Sequence, residues 1–132
     1  AVLVLVAWNV DLTRQISSAP GPGAVVTTHA IVQSNPGSWG DAKGQITLAG
    51  SVNVVSFSGL PPLPADQVYE LWVGPSATTV RGAGVFRAEP DGTKTLVLNH
   101  GLSHDALIAV TIEPGPGGTR APTEPPQMLG RL

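Results

Sequence analysis

Ser103, His104 and Asp105 are consecutive in the sequence and supply the three residue types of a hydrolytic catalytic triad. In a working triad the nucleophile, the base and the orienting acid meet in space, whereas three adjacent side chains diverge and cannot pass a proton along a line. The chain also lacks the Gly-x-Ser-x-Gly pattern that presents a nucleophilic serine on a sharp turn. The tripeptide is therefore interpreted as turn chemistry, and no catalytic residue is predicted.

The histidines are the next candidates, as metal ligands. His100 and His104 have the four-residue spacing that brings two ligands to one face of a helix, but Gly101 and its short loop disfavour a helix there. With His29 they would make a three-histidine site, yet no carboxylate stands at a fixed spacing to support it. The chain has no cysteine, which removes thiolate metal sites, blue copper and disulfides. No metal and no cofactor are predicted.

Paired carboxylates are the third possibility, because glycoside hydrolysis uses two acids at a set separation. Nine acidic residues in 132 will include such pairs by chance, and no pair stands out. Residues 115–118 are not a phosphate loop either, because no Lys-Ser/Thr pair and no helix follow them. An enzyme is not predicted. The acids considered are Asp66, Glu70, Glu89, Asp91, Asp105 and Glu113.

Composition limits the class of protein. With 132 residues, 42% of them hydrophobic and 12% charged, the chain is long enough for one domain with its own core. A net charge of −2 with seven Lys and Arg residues does not supply the basic surface that phosphate binding needs, so nucleic acid is not expected as a partner. The 16 glycines and 13 prolines suit short strands joined by many turns.

The elements that must position these residues are strands. From residue 24 onward, short runs rich in Val, Thr and Ile alternate with turn signals such as Asn35-Pro36-Gly37, and no convincing helix intervenes. We therefore predict an all-β fold, an antiparallel two-sheet β-sandwich (Ig-like or related), over residues 24–132. The predicted strands are 24–33, 45–49, 51–58, 68–73, 80–87, 94–99 and 106–112.

The strand at residues 68–73 carries large side chains on both faces, which predicts a central position in its sheet. Glu70 must then lie near a sheet end or find a hydrogen-bonding partner, because an unpaired buried carboxylate is costly. Alternation along this strand gives one face of Tyr69, Leu71 and Val73 and another of Val68, Glu70 and Trp72.

The first eight residues, from Ala1 to Trp8, are all apolar. A membrane span needs about 20 apolar residues, so residues 1–16 are interpreted as the transmembrane and juxtamembrane end of a span, a short apolar helical segment. A buried β-strand and a signal-peptide core remain alternatives. Residues 17–23 are interpreted as a Pro/Gly linker. If exposed, the apolar run of residues 1–8 favours a homo-oligomer.

A proline-rich turn at residues 60–64 leads into Tyr69-Glu70-Leu71-Trp72, and this pairing closely resembles the middle of the C-terminal domain of RskA-type anti-sigma-K factors. Later segments resemble that family's next hairpin and its closing motif. We expect these residues to be structural, with Trp72 filling the core and Glu113 and Thr123 tying the last strand to the tail. The matching residues are Leu60, Pro61, Pro64, Tyr69, Leu71, Trp72, Gly84, Phe86, Asp91, Gly92, Val110, Thr111, Glu113, Pro114, Pro122 and Thr123.

The resemblance implies a bacterial single-pass membrane protein, with the present part on the extracytoplasmic side. It also implies that an N-terminal domain absent from this chain binds an extracytoplasmic-function sigma factor. A membrane-associated protease would then release the sigma factor by regulated proteolysis, so that the protein acts in signal transduction and transcription regulation. A secreted or surface β-sandwich module that binds carbohydrate or metal is the alternative interpretation.

Overall fold

The computed structural model describes residues 26–99, 102 and 106–132, and all regular secondary structure in that part is β. Residues 1–23, His100 and the tripeptide Ser103-His104-Asp105 lie outside the described residues. Within them, no helix has the length and apolar character required to span a membrane. The strands are β1 (Val26–Gln33), β2 (Lys43–Ala49), β3 (Val52–Ser58), β4 (Gln67–Ser76), β5 (Thr79–Phe86), β6 (Lys94–Leu98), β7 (Leu107–Pro114) and β8 (Met128–Arg131).

The eight strands form one antiparallel sheet in the order β5-β4-β7-β8-β1-β2-β3-β6. β1 joins the two halves of this sheet, because residues 26–31 pair with β2 and residues 32–33 pair with β8. The terminal strands β5 and β6 approach each other, since a Cβ built at Gly84 would lie 3.9 Å from Cδ1 of Leu96. The sheet is therefore nearly closed and barrel-like.

The predicted all-β antiparallel class is confirmed, but the hydrogen bonds do not divide the strands into the two sheets of a sandwich. Alternation along a strand indicates which side chains are buried, but it does not determine which strands pair. The decisive feature is β1, which forms ladders on both of its edges at the place where two sheets would separate. The predicted N-terminal helical segment falls outside the described residues.

The inward faces of the strands share one core with an aromatic centre. Phe86 stacks on both Tyr69 and Phe57, with ring centroids 5.4 Å apart in each pair. Trp39, from the β1–β2 connection, meets Tyr69 edge-on at 5.3 Å. Burying each such ring contributes about 1.5–3 kcal/mol of transfer free energy. The central position predicted for β4 is confirmed, since it pairs with β5 on one side and β7 on the other.

β8 is the one strand of the described sheet that the sequence did not predict. It has only four residues, follows Pro125 and Pro126, and contains Gly130, all of which are signals for a turn or loop. The glycine is required by packing, because a Cβ at Gly130 would lie 2.7 Å from the carbonyl oxygen of Ala30. β8 can therefore lie this close to β1 only because Gly130 has no side chain.

Candidate functional site: a carboxylate network beneath the β7–β8 connection

Two carboxylates lie on the outer face of the sheet where β4 and β7 pair. The register places Glu70 opposite Thr111 and Val68 opposite Glu113, so strand alternation directs these side chains away from the core. Glu70 and Glu113 are nevertheless only 4% and 1% exposed. Residues 115–127, which we call the strap, connect β7 to β8 and donate hydrogen bonds to both carboxylates.

Glu113 is held by donors from its own strand and from the strap. Thr111 Oγ1 donates to Oε2 at 2.5 Å, and Thr123 Oγ1 donates to Oε1 at 2.5 Å. The backbone N–H of Thr123 donates to both oxygens, at 3.2 and 3.3 Å. Burial alone would raise the pKa of Glu113, but these hydrogen bonds together outweigh it and hold that pKa below its ordinary value. Glu113 is therefore an ionised acceptor at neutral pH.

Trp72 extends this network across the sheet. Its indole Nε1–H donates to Thr111 Oγ1 at 2.8 Å, and that hydroxyl in turn donates to Glu113. The Trp72 side chain is fully buried, but it lies on the outer face of β4 with Glu70 rather than in the aromatic core. Trp72 is therefore a fully buried packing residue beside Glu70, outside the cluster around Tyr69 and Phe86.

Glu70 is in the opposite electrostatic situation. Its Oε1 accepts one strap hydrogen bond, from the backbone N–H of Thr119 at 2.9 Å. Burial raises the pKa of Glu70, the Thr119 N–H opposes that rise, and the nearby charge of Glu113 adds to it. Two carboxylates of the same type, on adjacent strands, thus have pKa values displaced in opposite directions.

The strap is anchored along its whole length. Gly115 N–H donates to the carbonyl of Asp66 at 2.8 Å, and Gln127 N–H donates to that of Val110 at 2.8 Å. Between these ends, the carboxylate of Glu124 accepts from Ile112 N–H at 3.3 Å. The carboxylates serve as acceptors that fix a connection. In the described part of the chain, no group of three or more His, Cys, Asp or Glu side chains is arranged to hold a metal ion.

A second cluster fixes the proline-rich β3–β4 connection. The Arg87 guanidinium donates to the carbonyls of Leu63 at 3.0 Å, Pro64 at 3.3 Å and Gln67. The Tyr69 hydroxyl donates to the carbonyl of Pro61. Burial raises the pKa of Tyr69 to about 12, so the hydroxyl remains protonated and able to donate.

The β5–β6 turn packs against this connection. The Asp91 carboxylate accepts from Thr93 Oγ1 at 2.6 Å and Thr93 N–H at 3.1 Å, which lowers its pKa, and Leu60 N–H donates to the carbonyl of Gly92 at 3.0 Å. Between turn and connection is a cavity of about 180 Å³. Pockets for drug-sized ligands usually measure about 300–1,000 Å³, so this one is too small for such a ligand. It is lined by Leu60, Pro62, Leu63, Tyr69, Arg87, Ala88, Glu89 and Pro90.

The structure places most of the predicted motif residues in two clusters and three of them in or beside the core. The tie expected between Glu113 and Thr123 is present as a 2.5 Å hydrogen bond. Leu71 and Val110 lie in the core, and Gly84 pairs with Leu71. At the β3–β4 connection lie Leu60, Pro61, Pro64, Tyr69, Phe86, Asp91 and Gly92. At or beside the strap lie Trp72, Thr111, Glu113, Pro114, Pro122 and Thr123.

Glu70, Thr119 and Arg87 are parts of these clusters that sequence reasoning did not assign to a site. Glu70 had a usable signal, because a single acid in an otherwise apolar central strand requires a partner. Thr119 and Arg87 had none, since their partners lie 49 and 20 or more residues away. Of the candidate histidines, only His29 falls within the described residues, in β1.

Comparison with known proteins identifies one family. The family described as "Anti-sigma-K factor rskA, C-terminal" matches residues 1–128. A protein of Streptomyces griseus described as "Uncharacterized protein in phr 5'region" is 32% identical over 93 residues, which cover 68% of this chain and 37% of that protein. The matched part is thus well under two thirds of that relative's length. No solved structure matches.

Proposed function

The chain belongs to the anti-sigma-K factor RskA C-terminal family, and we propose that it is the extracytoplasmic regulatory domain of a membrane-anchored anti-sigma factor. In this proposal an N-terminal domain outside the chain binds an extracytoplasmic-function sigma factor, and one membrane span connects the two. Cleavage by a membrane-associated protease then releases the sigma factor. The observation that carries the proposal is the family match, which runs from the first residue to the start of β8.

The proposed task of this domain is regulatory rather than enzymatic, as is typical of the family. The two clusters described above support this assignment because their polar groups bind other parts of the same chain. Arg87 holds three backbone carbonyls, and Glu113 holds the strap. Polar groups that are satisfied within the chain in this way make the fold more rigid.

We propose specifically that the folded domain restricts protease access to the stalk at residues 17–23. The strand that follows this stalk, β1, occupies the fifth of eight positions in the sheet and is paired on both edges. β1 pairs with β2 over residues 26–31 and with β8 at residues 32–33, so releasing the whole strand requires breaking both ladders, which disrupts the sheet. Unfolding of the domain would then make the stalk more accessible to the protease.

Cleavage of the full-length protein in cells tests this role. Trp72→Ala removes a fully buried ring and the donor to Thr111, and such substitutions cost about 3–5 kcal/mol. We expect faster cleavage by immunoblot and higher output from a sigma-dependent promoter. Val97→Ala, at a valine that is 54% exposed, is the control and should leave cleavage unchanged. If urea unfolding shows that Trp72→Ala is destabilised and its cleavage is nevertheless unaltered, the domain does not restrict protease access to the stalk.

The apolar run of residues 1–8 supports a further part of the proposal, a membrane segment that pairs with another copy when the chain is isolated. Light scattering should give a mass above that of a monomer for the 132-residue chain. Deleting residues 1–16 should reduce it to a monomer. Equal masses for the two chains would argue against association through this segment.

A further inference from the structure

The strap is held by two carboxylates that act on different parts of it. Glu70 accepts from the backbone of Thr119, and Glu113 accepts from the backbone and hydroxyl of Thr123, four residues further along. Both carboxylates are more than nine-tenths buried. Residues 119–123 contain no strand, so these bonds replace a ladder as the attachment of this segment.

The charge around the two carboxylates is unbalanced. From β5, Glu70 faces Gly82, whose built Cβ would lie 2.9 Å from Oε2, and from β7 it faces Thr111 and the ionised Glu113. From the strap it faces the backbone of Thr119, which is followed by the exposed Arg120. Within the described residues, neither carboxylate forms an ion pair with Lys or Arg.

Glu124, the strap's own carboxylate, accepts from Ile112 N–H. The Lys94–Glu89 ion pair, at 3.7 Å, belongs to the β5–β6 turn on another part of the sheet. A proton on Glu70 therefore removes the cost of burying its charge and also relieves its repulsion with Glu113.

We propose that Glu70 and Glu113 form a one-proton latch, which holds the strap most firmly when Glu70 is neutral and Glu113 is ionised. A neutral Glu70 keeps a carbonyl oxygen for the Thr119 N–H and no longer repels Glu113. An ionised Glu113 keeps charge-assisted bonds to two hydroxyls and one amide, which are about twice as strong as neutral ones. This inference rests on the proposed function in one respect: it makes external acidity a condition to which the regulatory domain responds.

The latch loosens on both sides of the one-proton state, for different reasons. As pH rises, Glu70 loses its proton and two negative charges face each other in a buried site. As pH falls further, Glu113 gains a proton and its carboxylate loses acceptor capacity for Thr111 and Thr123. The raised pKa of Glu70 and the lowered pKa of Glu113 place these two steps in that order. The strap should therefore be best protected in mild acid.

Amide hydrogen exchange by NMR tests the latch in the 132-residue chain, because the N–H groups of Thr119 and Thr123 each report on one carboxylate. After correction for intrinsic exchange, we expect protection of both amides to peak in mild acid and to fall on either side. Glu70→Gln, which fixes a neutral acceptor, should abolish the alkaline fall and keep the acid fall. Glu89→Gln, at a carboxylate whose side chain is 60% exposed, is the matched control and should leave the profile unchanged.

The acid side has its own variants. Glu113→Gln should remove the acid fall and lower protection of the Thr123 amide at least about tenfold, because that amide loses its charged acceptor. If that variant does not fold, Thr123→Val, which keeps Glu113 and the backbone bond, should still reduce protection of the Thr123 amide. A flat wild-type profile, or an alkaline fall that persists in Glu70→Gln, overturns the latch.

Cleavage of the full-length protein at different external pH values separates the latch from the proposed function. Cleavage that follows the protection profile supports both. A clear profile with cleavage indifferent to pH supports the latch and contradicts its regulatory use. A flat profile in a protein whose Trp72→Ala variant is cleaved faster overturns the latch and leaves the proposed function standing.

Discussion

At the residue scale, Glu70 and Glu113 differ through the donors that reach them. Each is a glutamate on a central strand, each is buried, and each points to the same face. Glu113 receives two hydroxyl donors and a backbone N–H, whereas Glu70 receives one backbone N–H. Burial raises the pKa of both carboxylates, and the number of donors therefore decides whether the net shift is upward, as for Glu70, or downward, as for Glu113. Those donors come mostly from a connection folded back over the sheet, which no local pattern indicates.

Thr123→Val isolates one of these donors with little change of shape. It removes the hydroxyl that Glu113 accepts at 2.5 Å, and we expect the free energy of unfolding to fall by about 1–3 kcal/mol near neutral pH. Because the pKa of Glu113 is lowered by folding, the stability it contributes is present above its unfolded-state pKa and is lost as pH falls through the folded pKa. The deficit of Thr123→Val should therefore shrink in acid.

Urea unfolding at neutral and at acid pH measures this deficit. The control is Thr27→Val, which removes a hydroxyl from an exposed position of β1 and should change stability by less than about 0.5 kcal/mol. A deficit that is the same at both pH values would mean that Thr123 stabilises the fold without acting through the charge of Glu113.

At the element scale, the strap depends on glycine as well as on carboxylates. Gly118 has a φ of 71°, and a Cβ there would overlap the Glu70 carboxylate. Gly118→Ala should therefore cost about 1–3 kcal/mol, because a left-handed backbone and a close contact are both penalised. Gly117→Ala is a matched control at the adjacent position, where no atom lies within 4 Å of the built Cβ, and should be nearly neutral.

Thermal unfolding of the two variants, with hydrogen exchange of the strap amides, makes this comparison. We expect Gly118→Ala to lower the melting temperature and speed exchange at Thr119, whose N–H bonds to Glu70. Similar effects at both glycines would indicate that the loss of backbone freedom, rather than the contact with Glu70, governs the strap.

Elements with a strong internal pattern could be predicted from the sequence, and those defined by a neighbour could not. β4 was predictable because its residues alternate between two bulky faces, which is typical of a central strand. β8 was not, because its only distinctive residue, Gly130, is explained by the backbone of Ala30, 100 residues earlier. Likewise the Glu113–Thr123 tie was predicted from nearby motif residues, while Arg87 and Thr119 bind distant carbonyl and carboxylate groups.

At the scale of the whole molecule, the seam between β8 and β1 determines how the sheet closes. Only residues 32–33 of β1 pair with β8, so this is a short ladder, yet it joins the half containing the strap to the half containing β2, β3 and β6. The sequence predicted β1, on one side of the seam, but neither β8 nor the pairing between the two strands. A two-sheet sandwich and a nearly closed single sheet differ by a few hydrogen bonds at this place.

Gly130→Ala tests whether this seam controls the stability of the whole domain. The new Cβ would lie 2.7 Å from the Ala30 carbonyl oxygen and 3.4 Å from the Cα of Ile31, so backbone must move, and we expect a loss of about 1–3 kcal/mol. Gly84→Ala is the matched control in another strand, because its Cβ would meet only Leu96, at an ordinary contact distance of 3.9 Å. Urea unfolding of the two variants gives the comparison.

The same pair of variants in the full-length protein connects the seam to regulation. If β1 must leave the sheet before the stalk becomes accessible, Gly130→Ala should raise cleavage and Gly84→Ala should not. Hydrogen exchange in β1 should rise in the first variant in proportion to its loss of stability. If Gly130→Ala is destabilised and is still cleaved at the wild-type rate, something other than the closed sheet must protect the stalk. The reason is that weakening the seam should free β1, the strand that follows the stalk.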